Sequence, residues 1–345
     1  MLDMTDMETE VKKPTYLDYK SNQNPRWCPG CGDHAVLNSV QKAMAELELK
    51  THDTAVISGI GCSSRFTYYM STYGFHTIHG RASAIASGVK AANPRLNVWQ
   101  ITGDGDALAI GGNHFIHAIR RNINLNILLF NNRIYGLTKG QYSPTSKRGF
   151  ISKTSPFGTI EFPFRPGELT IGARGYFFAR TIDKDLKLSA DVFKEAALHD
   201  GTSVVEVLQN CVIYNDRVHD EITDKEFRDD RTIVLEQGKP MIFGKERNKG
   251  LRLNGLNLEV VTIGEGGITE ADLLVHDATT EDNTLHLKLV NMEYPHFPVA
   301  LGVIRNVEAL VYDREMEAQI EDVRSKTTIR TFLDLAKEGD VWEVK

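Results

Sequence analysis

Three consecutive segments decide the fold: Leu96-Asn97-Val98-Trp99-Gln100-Ile101-Thr102-Gly103-Asp104-Gly105, then Ala107 to Arg121, then Leu125-Asn126-Ile127-Leu128-Leu129-Phe130-Asn131-Asn132-Arg133-Ile134. The first alternates with period two and ends in a glycine-flanked carboxylate, the pattern of a strand running into a turn. Leu108, Ile110, Phe115, Ile116 and Ile119 then recur at helical spacing, and the second apolar run reads as another strand. Strand, turn, helix and strand in that order make a right-handed parallel crossover, so the expected class is α/β, a parallel sheet flanked by helices. Ligands of such sheets sit beyond the carboxyl ends of the strands, which places Asp104 and Asn132 side by side on one rim. A helix beginning near Ala107 would aim its free N–H groups and positive dipole end at that rim. Gly103 and Gly105 would let the backbone close on a phosphate.

A diphosphate in that position brings Mg²⁺, which takes octahedral oxygen ligands and keeps phosphate oxygens and water among them. Asp104, the side-chain oxygen of Asn132 and the carbonyl of Ile134 would form the protein share. A Gly-Asp-Gly alone is a common surface turn. Here Asn132 follows Asp104 by 28 positions, each at the end of an expected strand. That pairing resembles the thiamine diphosphate motif, in which Gly-Asp-Gly precedes Asn-Asn by some two dozen residues.

The four cysteines are Cys28, Cys31, Cys62 and Cys211, at spacings of 3, 31 and 149. Cys28-Pro29-Gly30-Cys31 is a tight knuckle whose thiolates can share one metal centre. Asp33 next to it reads as the N-cap of a helix running to Leu47. Cys62 follows the expected strand Thr54 to Ile57 within Gly59-Ile60-Gly61-Cys62-Ser63-Ser64, and Cys211 follows the run Val204 to Leu208. All four would therefore reach the same rim. A Cys₄ set suits zinc or an iron–sulfur cluster. One pair with two lone cysteines, rather than the two pairs of a zinc ribbon, favours iron–sulfur.

Taken together, Cys28-Pro29-Gly30-Cys31-Gly32, Gly59-Ile60-Gly61-Cys62-Ser63, His79-Gly80-Arg81-Ala82, Gly103-Asp104-Gly105, Asn131-Asn132-Arg133-Ile134-Tyr135-Gly136-Leu137-Thr138-Lys139-Gly140-Gln141 and Cys211 resemble the beta subunit of 2-oxoacid:ferredoxin oxidoreductases. Within it they are most like the 2-oxoglutarate (2-oxoglutarate synthase) type. The resemblance implies a thiamine diphosphate-binding fold and three cofactors: thiamine diphosphate, Mg²⁺ and one [4Fe-4S] cluster on the four cysteines. It also implies CoA-dependent oxidation of a 2-oxoacid with electrons passed to ferredoxin. Gly61, Cys62, His79, Gly136 and Leu137 would line the cofactor, with Arg81 beside His79. Leu137 stands where pyruvate-acting relatives tend to carry a polar residue, and Lys139 would meet the distal carboxylate of 2-oxoglutarate, with Arg65 a second candidate. Thiamine enzymes need a pyrimidine-binding domain that this sequence does not repeat. The family places it on an alpha subunit, so an alpha-beta heterodimer or a dimer of heterodimers is implied.

The remaining sequence sets limits. Its 345 residues, 41% hydrophobic and 25% charged, suit a sizeable core. A net charge of -6 argues against nucleic acid as a partner, and no apolar stretch is long enough for a membrane span. Met1 to Lys13 is acidic and polar with no apolar centre, so the expected place is cytoplasmic and residues 1–20 are expected to be a disordered tail. Residues 21–215 would form the cofactor domain and 216–345 a C-terminal extension. Tyr142 to Ile182, rich in Gly, Pro, Ser and Thr, begins as a long covering loop.

Overall fold

The computed structural model describes residues 13–340 together with Trp342 and Val344. One eight-stranded sheet carries the chain. Its strands are β1 (Thr54–Ser58), β2 (Tyr73–His76), β3 (Asn97–Gly103), β4 (Leu125–Asn131), β5 (Phe177–Ile182), β6 (Thr202–Leu208), β7 (Thr232–Leu235) and, after a small three-stranded sheet, β11 (Val299–Asn306). The small sheet is formed by β8 (Ile242–Phe243), β9 (Lys249–Asn254) and β10 (Asn257–Thr262). The large sheet runs β2-β1-β3-β4-β6-β5-β11-β7. Every neighbouring pair is parallel except β11 with β5.

Alternation along the central strands feeds two cores, as a sheet covered on both faces requires. Ala55, Ile57, Val98, Leu125, Ile127 and Leu129 face α2 (Ala82–Ala92), α4 (Gly112–Arg121) and α5 (Pro166–Gly172). Val56, Trp99, Ile101, Leu128, Phe130 and Val205 face α1 (Asp33–Glu46) and α6 (Leu186–Leu198). The expected α/β class is therefore found, with one antiparallel insertion.

Four expectations need correction. The helix from Ala107 to Arg121 is two: a single turn α3, Asp104–Leu108, and α4, separated at Ala109 with φ −88 and ψ −106. The break falls where Gly80 packs on the backbone of Gly111, so that a Cβ on Gly80 would lie 2.6 Å from Gly111 N. Asp33 is not the N-cap of α1. Gly32 is, and the Asp33 side chain is buried. The expected tail ends early, because Tyr16–Tyr19 form a 3₁₀ turn whose Tyr19 hydroxyl donates to Met44 O at 3.0 Å in the core. Residues 1–12 of that tail lie outside the described residues. Finally, residues 216–345, expected as an extension to the cofactor domain, are part of its sheet. They supply β7 and β11, and Ile233, Leu235, Ala300 and Ile304 join the same hydrophobic cluster as β1 and β4.

Candidate cofactor and cluster site

Parallel pairing in the register Gly103↔Phe130 sets Asp104 beside Asn131 at the carboxyl rim, with Asn132 one residue further out. Asp104 is buried, and its Oδ2 accepts hydrogen bonds from Ser143 Oγ at 2.6 Å and from the Thr145 hydroxyl. Burial pushes this carboxyl up against the pull of those two hydroxyls. Among the described residues no cation is paired with it, a condition that a bound divalent ion relieves. Asn132 is held by Nδ2 donating to Gln209 Oε1 at 2.9 Å, and its Oδ1 accepts from Ile134 N at 3.2 Å. Ile134 is buried beneath the turn. The expected Asp104, Asn132 and Ile134 set is thus gathered on one rim.

The second carboxylate of the turn, Asp106, escaped the sequence reading. Its Oδ1 accepts from Ile60 N at 3.1 Å, Gly80 N at 2.7 Å and His79 Nδ1 at 2.7 Å, while Oδ2 accepts from Thr102 Oγ1 at 2.7 Å. One buried carboxylate thereby ties the loop leading to Gly61 and Cys62 to the loop carrying His79. The only sequence signal was a second aspartate two positions after the first. Tyr135 lies against Gly105 and donates its hydroxyl hydrogen to Gly105 O at 3.0 Å, and its ring meets that of His79. Arg81 reaches His114 on α4.

All four cysteines line one cavity of about 290 Å³, together with Asn132, Gly136, Leu137 and Arg65. Three contacts bring the segments together. Trp27 Nε1 donates to Cys62 O at 2.6 Å, Gly32 N donates to Asn210 O at 3.3 Å, and Gln209 Nε2 approaches Cys31 Sγ at 3.4 Å. Gly136 borders two of the thiols: a Cβ there would stand in ordinary contact, 3.5 Å from Cys211 Sγ and 3.6 Å from Cys62 Sγ. Gly32 must be small, because a Cβ would strike the Asp183 carboxylate at 1.9 Å.

Among the described residues no three His, Cys, Asp or Glu side chains are grouped to hold a single metal ion. A mononuclear tetrahedral zinc site needs its sulfurs about 2.3 Å from one centre. A cluster instead spreads four thiolates over several irons, and the four thiols round one cavity are the donor set it would take. Burial pushes the Cys31 thiol up, and the Cys62 thiol up to about 11, with Asp33 as the next cause in both. The positive charge of a bound metal would favour the thiolates there, with release of protons.

Arg65 lines this cavity and is fixed by Nε donating to Tyr69 Oη at 3.1 Å. Lys139 is exposed at the tip of the Tyr135–Gln141 turn, at φ 77, outside that cavity's walls.

Residues 59–207 match the family described as thiamine pyrophosphate enzyme, C-terminal TPP binding domain. Fold and rim together are those of a thiamine diphosphate enzyme. The chain is 44% identical over 330 residues, 95% of its length and 88% of the relative's, to 2-oxoglutarate oxidoreductase subunit KorB of Mycobacterium tuberculosis. It is 46% identical over 201 residues, 58% of this chain and 75% of the relative, to 2-oxoglutarate synthase subunit KorB of Archaeoglobus fulgidus. It also resembles the solved 2-oxoglutarate:ferredoxin oxidoreductase from Magnetococcus marinus with 2-oxoglutarate, coenzyme A and succinyl-CoA bound, with a TM-score of 0.76 at 30% identity over 96% of this chain and 98% of that one. The chain belongs to the beta subunits of the 2-oxoacid:ferredoxin oxidoreductases, in the 2-oxoglutarate branch.

Proposed function

We propose that this chain works with an alpha subunit to convert 2-oxoglutarate and coenzyme A to succinyl-CoA, CO₂ and a proton, passing two electrons singly to ferredoxin, or runs the reverse carboxylation. The observation that carries this reading is the shared cavity: Asn132, Gly136 and Leu137 of the cofactor turn form walls of the space that all four thiols face. Electrons generated at the turn therefore have an acceptor site next to it. When bound, thiamine diphosphate supplies the carbon nucleophile that adds to the 2-oxo group, and a [4Fe-4S] cluster takes up single electrons.

The chain's own residues supply position and charge. Asp104, Asn132 and the Ile134 carbonyl would hold Mg²⁺ against the diphosphate, with Ser143 and Thr145 keeping Asp104 in place. Cys28, Cys31, Cys62 and Cys211 would hold the cluster. His79, its Nδ1 engaged by Asp106 and its ring against Tyr135, would line the cofactor. Arg65 and Lys139 are the cations offered to the distal carboxylate, and Leu137 packs against the carbon chain between. Arg65 has the better position, inside the cavity wall.

The alpha subunit would contribute the pyrimidine-binding half, so the chain alone is inactive in this reading. Among the described residues no helix is long and apolar enough to cross a membrane. Four free cysteines serving as ligands require a reducing compartment, which supports a cytoplasmic place. The test is composition: anaerobically purified alpha-beta complex should contain iron, acid-labile sulfide and thiamine diphosphate. Zinc without sulfide would point instead to a zinc-stabilised, non-redox thiamine enzyme or scaffold subunit.

A further inference from the structure

Adjoining the cofactor turn, whose Asn131 and Arg133 help to line it, a smaller cavity of about 90 Å³ opens at the same rim, between β4, β5 and β6 and the loop before α5. Four cations line it, Arg133, Lys147, Arg165 and Arg180, against two carboxylates, Glu206 and Glu293. Three of the cations are engaged. Arg180 Nε donates to Glu206 at 2.7 Å, with its remaining nitrogens on Ala300 O and Val290 O. Arg165 holds Asn291 and Glu293 at 3.1 and 3.0 Å, and Lys147 reaches Glu221 at 3.3 Å. Of these four cations, Arg133 alone has no hydrogen-bond or ion-pair partner among the described residues.

Two features make that free guanidinium informative. Arg133 sits at φ 57, in the left-handed region where glycine is the relaxed choice. Its backbone is pinned there by Ser146 Oγ donating to Arg133 O at 2.7 Å and by Asn215 Nδ2 on Asn132 O at 2.9 Å. A side chain kept at a strained position, lining a cavity without a hydrogen-bond or ion-pair partner, is available to a ligand outside the chain's own contacts. Arginine cannot shed its proton to escape desolvation, and the Glu206 and Glu293 carboxylates that attract it across the cavity are already engaged by Arg180 and Arg165, which leaves Arg133 open to an added anion. His219, buried beside it and donating from Nε2 to Asn131 O at 2.8 Å, is held neutral by its burial and then by Arg133.

The geometry points to an oxyanion site in which Arg133 binds two oxygens of a phosphate group side by side, with Lys147 and Arg165 at the mouth. A phosphate fits the available space, roughly six times the ~15 Å³ one water requires. Its binding would also tie the Ser143–Pro166 loop to the sheet. Ser143 and Thr145 of that loop hold Asp104, so an occupied site braces the cofactor carboxylate from behind.

The test uses the alpha-beta complex with thiamine diphosphate and Mg²⁺ in excess, which fills the diphosphate position, at ionic strength held constant with chloride. Inorganic phosphate is titrated and thermal unfolding recorded for the native protein, Arg133→Gly and Arg133→Lys. Arg133→Gly removes the cation while suiting the positive φ, so it keeps the fold. A saturable rise in melting temperature is expected in the native protein, weakened at least tenfold in apparent affinity by Arg133→Gly and partly restored by Arg133→Lys. Equal shifts in the native protein and Arg133→Gly, or none in either, would overturn the site. Coenzyme A added on top separates two sources: loss of the inorganic phosphate response assigns the position to a phosphate of coenzyme A, and persistence assigns it to a free anion.

Discussion

The imidazole of His79 donates from Nδ1 to Oδ1 of Asp106 at 2.7 Å, and the same oxygen takes the amides of Ile60 and Gly80. This one atom joins the Cys62 loop to the cofactor rim. Asp106→Asn puts an uncharged amide where three donors converge, leaving buried donors short of an acceptor. A loss of about 2 to 4 kcal/mol is expected in the denaturant midpoint of the full chain, together with a lower iron content, because Cys62 loses its tether. Normal stability and normal iron would show that Asp106 does not organise these loops.

Gly136 separates the cofactor turn from two thiols. In Gly136→Ala the new methyl would stand 3.5 Å from Cys211 Sγ and 3.6 Å from Cys62 Sγ, against two of the sulfurs that would hold a cluster. Iron and sulfide should fall well below one cluster per chain with the fold intact. Gly88→Ala, exposed on α2 with nothing within 4 Å of its Cβ, is the control. It should keep the cluster and gain about 0.5 to 1 kcal/mol of stability.

Thr145 steadies Asp104 from the covering loop. Without its hydroxyl, in Thr145→Ala, the Asp104 carboxyl, already pushed up by burial, is pushed further. Thiamine diphosphate with Mg²⁺ should then bind about tenfold more weakly. On acidification its binding should also fail at a higher pH than in the native protein. Titration calorimetry at two pH values reads both effects.

His219 gives the chain an acid-sensitive term. Burial first, and Arg133 second, push this imidazole from 6.5 down to about 3. The unfolded chain takes up the proton more readily, so stability present above pH 6.5 is lost as pH falls toward 3, at a slope of at most about 1.4 kcal/mol per pH unit. His219→Gln, which keeps a donor for Asn131 O, should flatten that slope in urea titrations between those limits. His199, His276 and His286 are also pushed down by burial, so part of the acid sensitivity should remain.

The rim was legible because its parts are local: a strand, a glycine turn and paired asparagines carry their own period and punctuation. Cys62 and Cys211 were legible as strand-end residues and Cys28 and Cys31 as a knuckle, and the expected rim brought them together. What stayed hidden depends on distant partners. Gln209, tied to both Asn132 and Cys31, reads as an ordinary polar residue after a strand. Ser143 and Thr145 read as loop residues until the fold brings them 39 and 41 positions back onto Asp104. The break between α3 and α4 is set by the approach of Gly80, and the antiparallel entry of β11 beside β5 pairs Gly302 with Arg180, far beyond the reach of any local pattern.

The most direct measurement is anaerobic reduction of a viologen dye by the alpha-beta complex with coenzyme A, comparing 2-oxoglutarate with pyruvate at equal concentration. We expect faster reduction with 2-oxoglutarate, a preference that Arg65→Ala and Lys139→Ala each diminish through a higher KM for 2-oxoglutarate. Preference for pyruvate would contradict the assignment of Leu137, Lys139 and Arg65 to the distal end of the substrate, and no reduction with either acid would contradict the redox function itself.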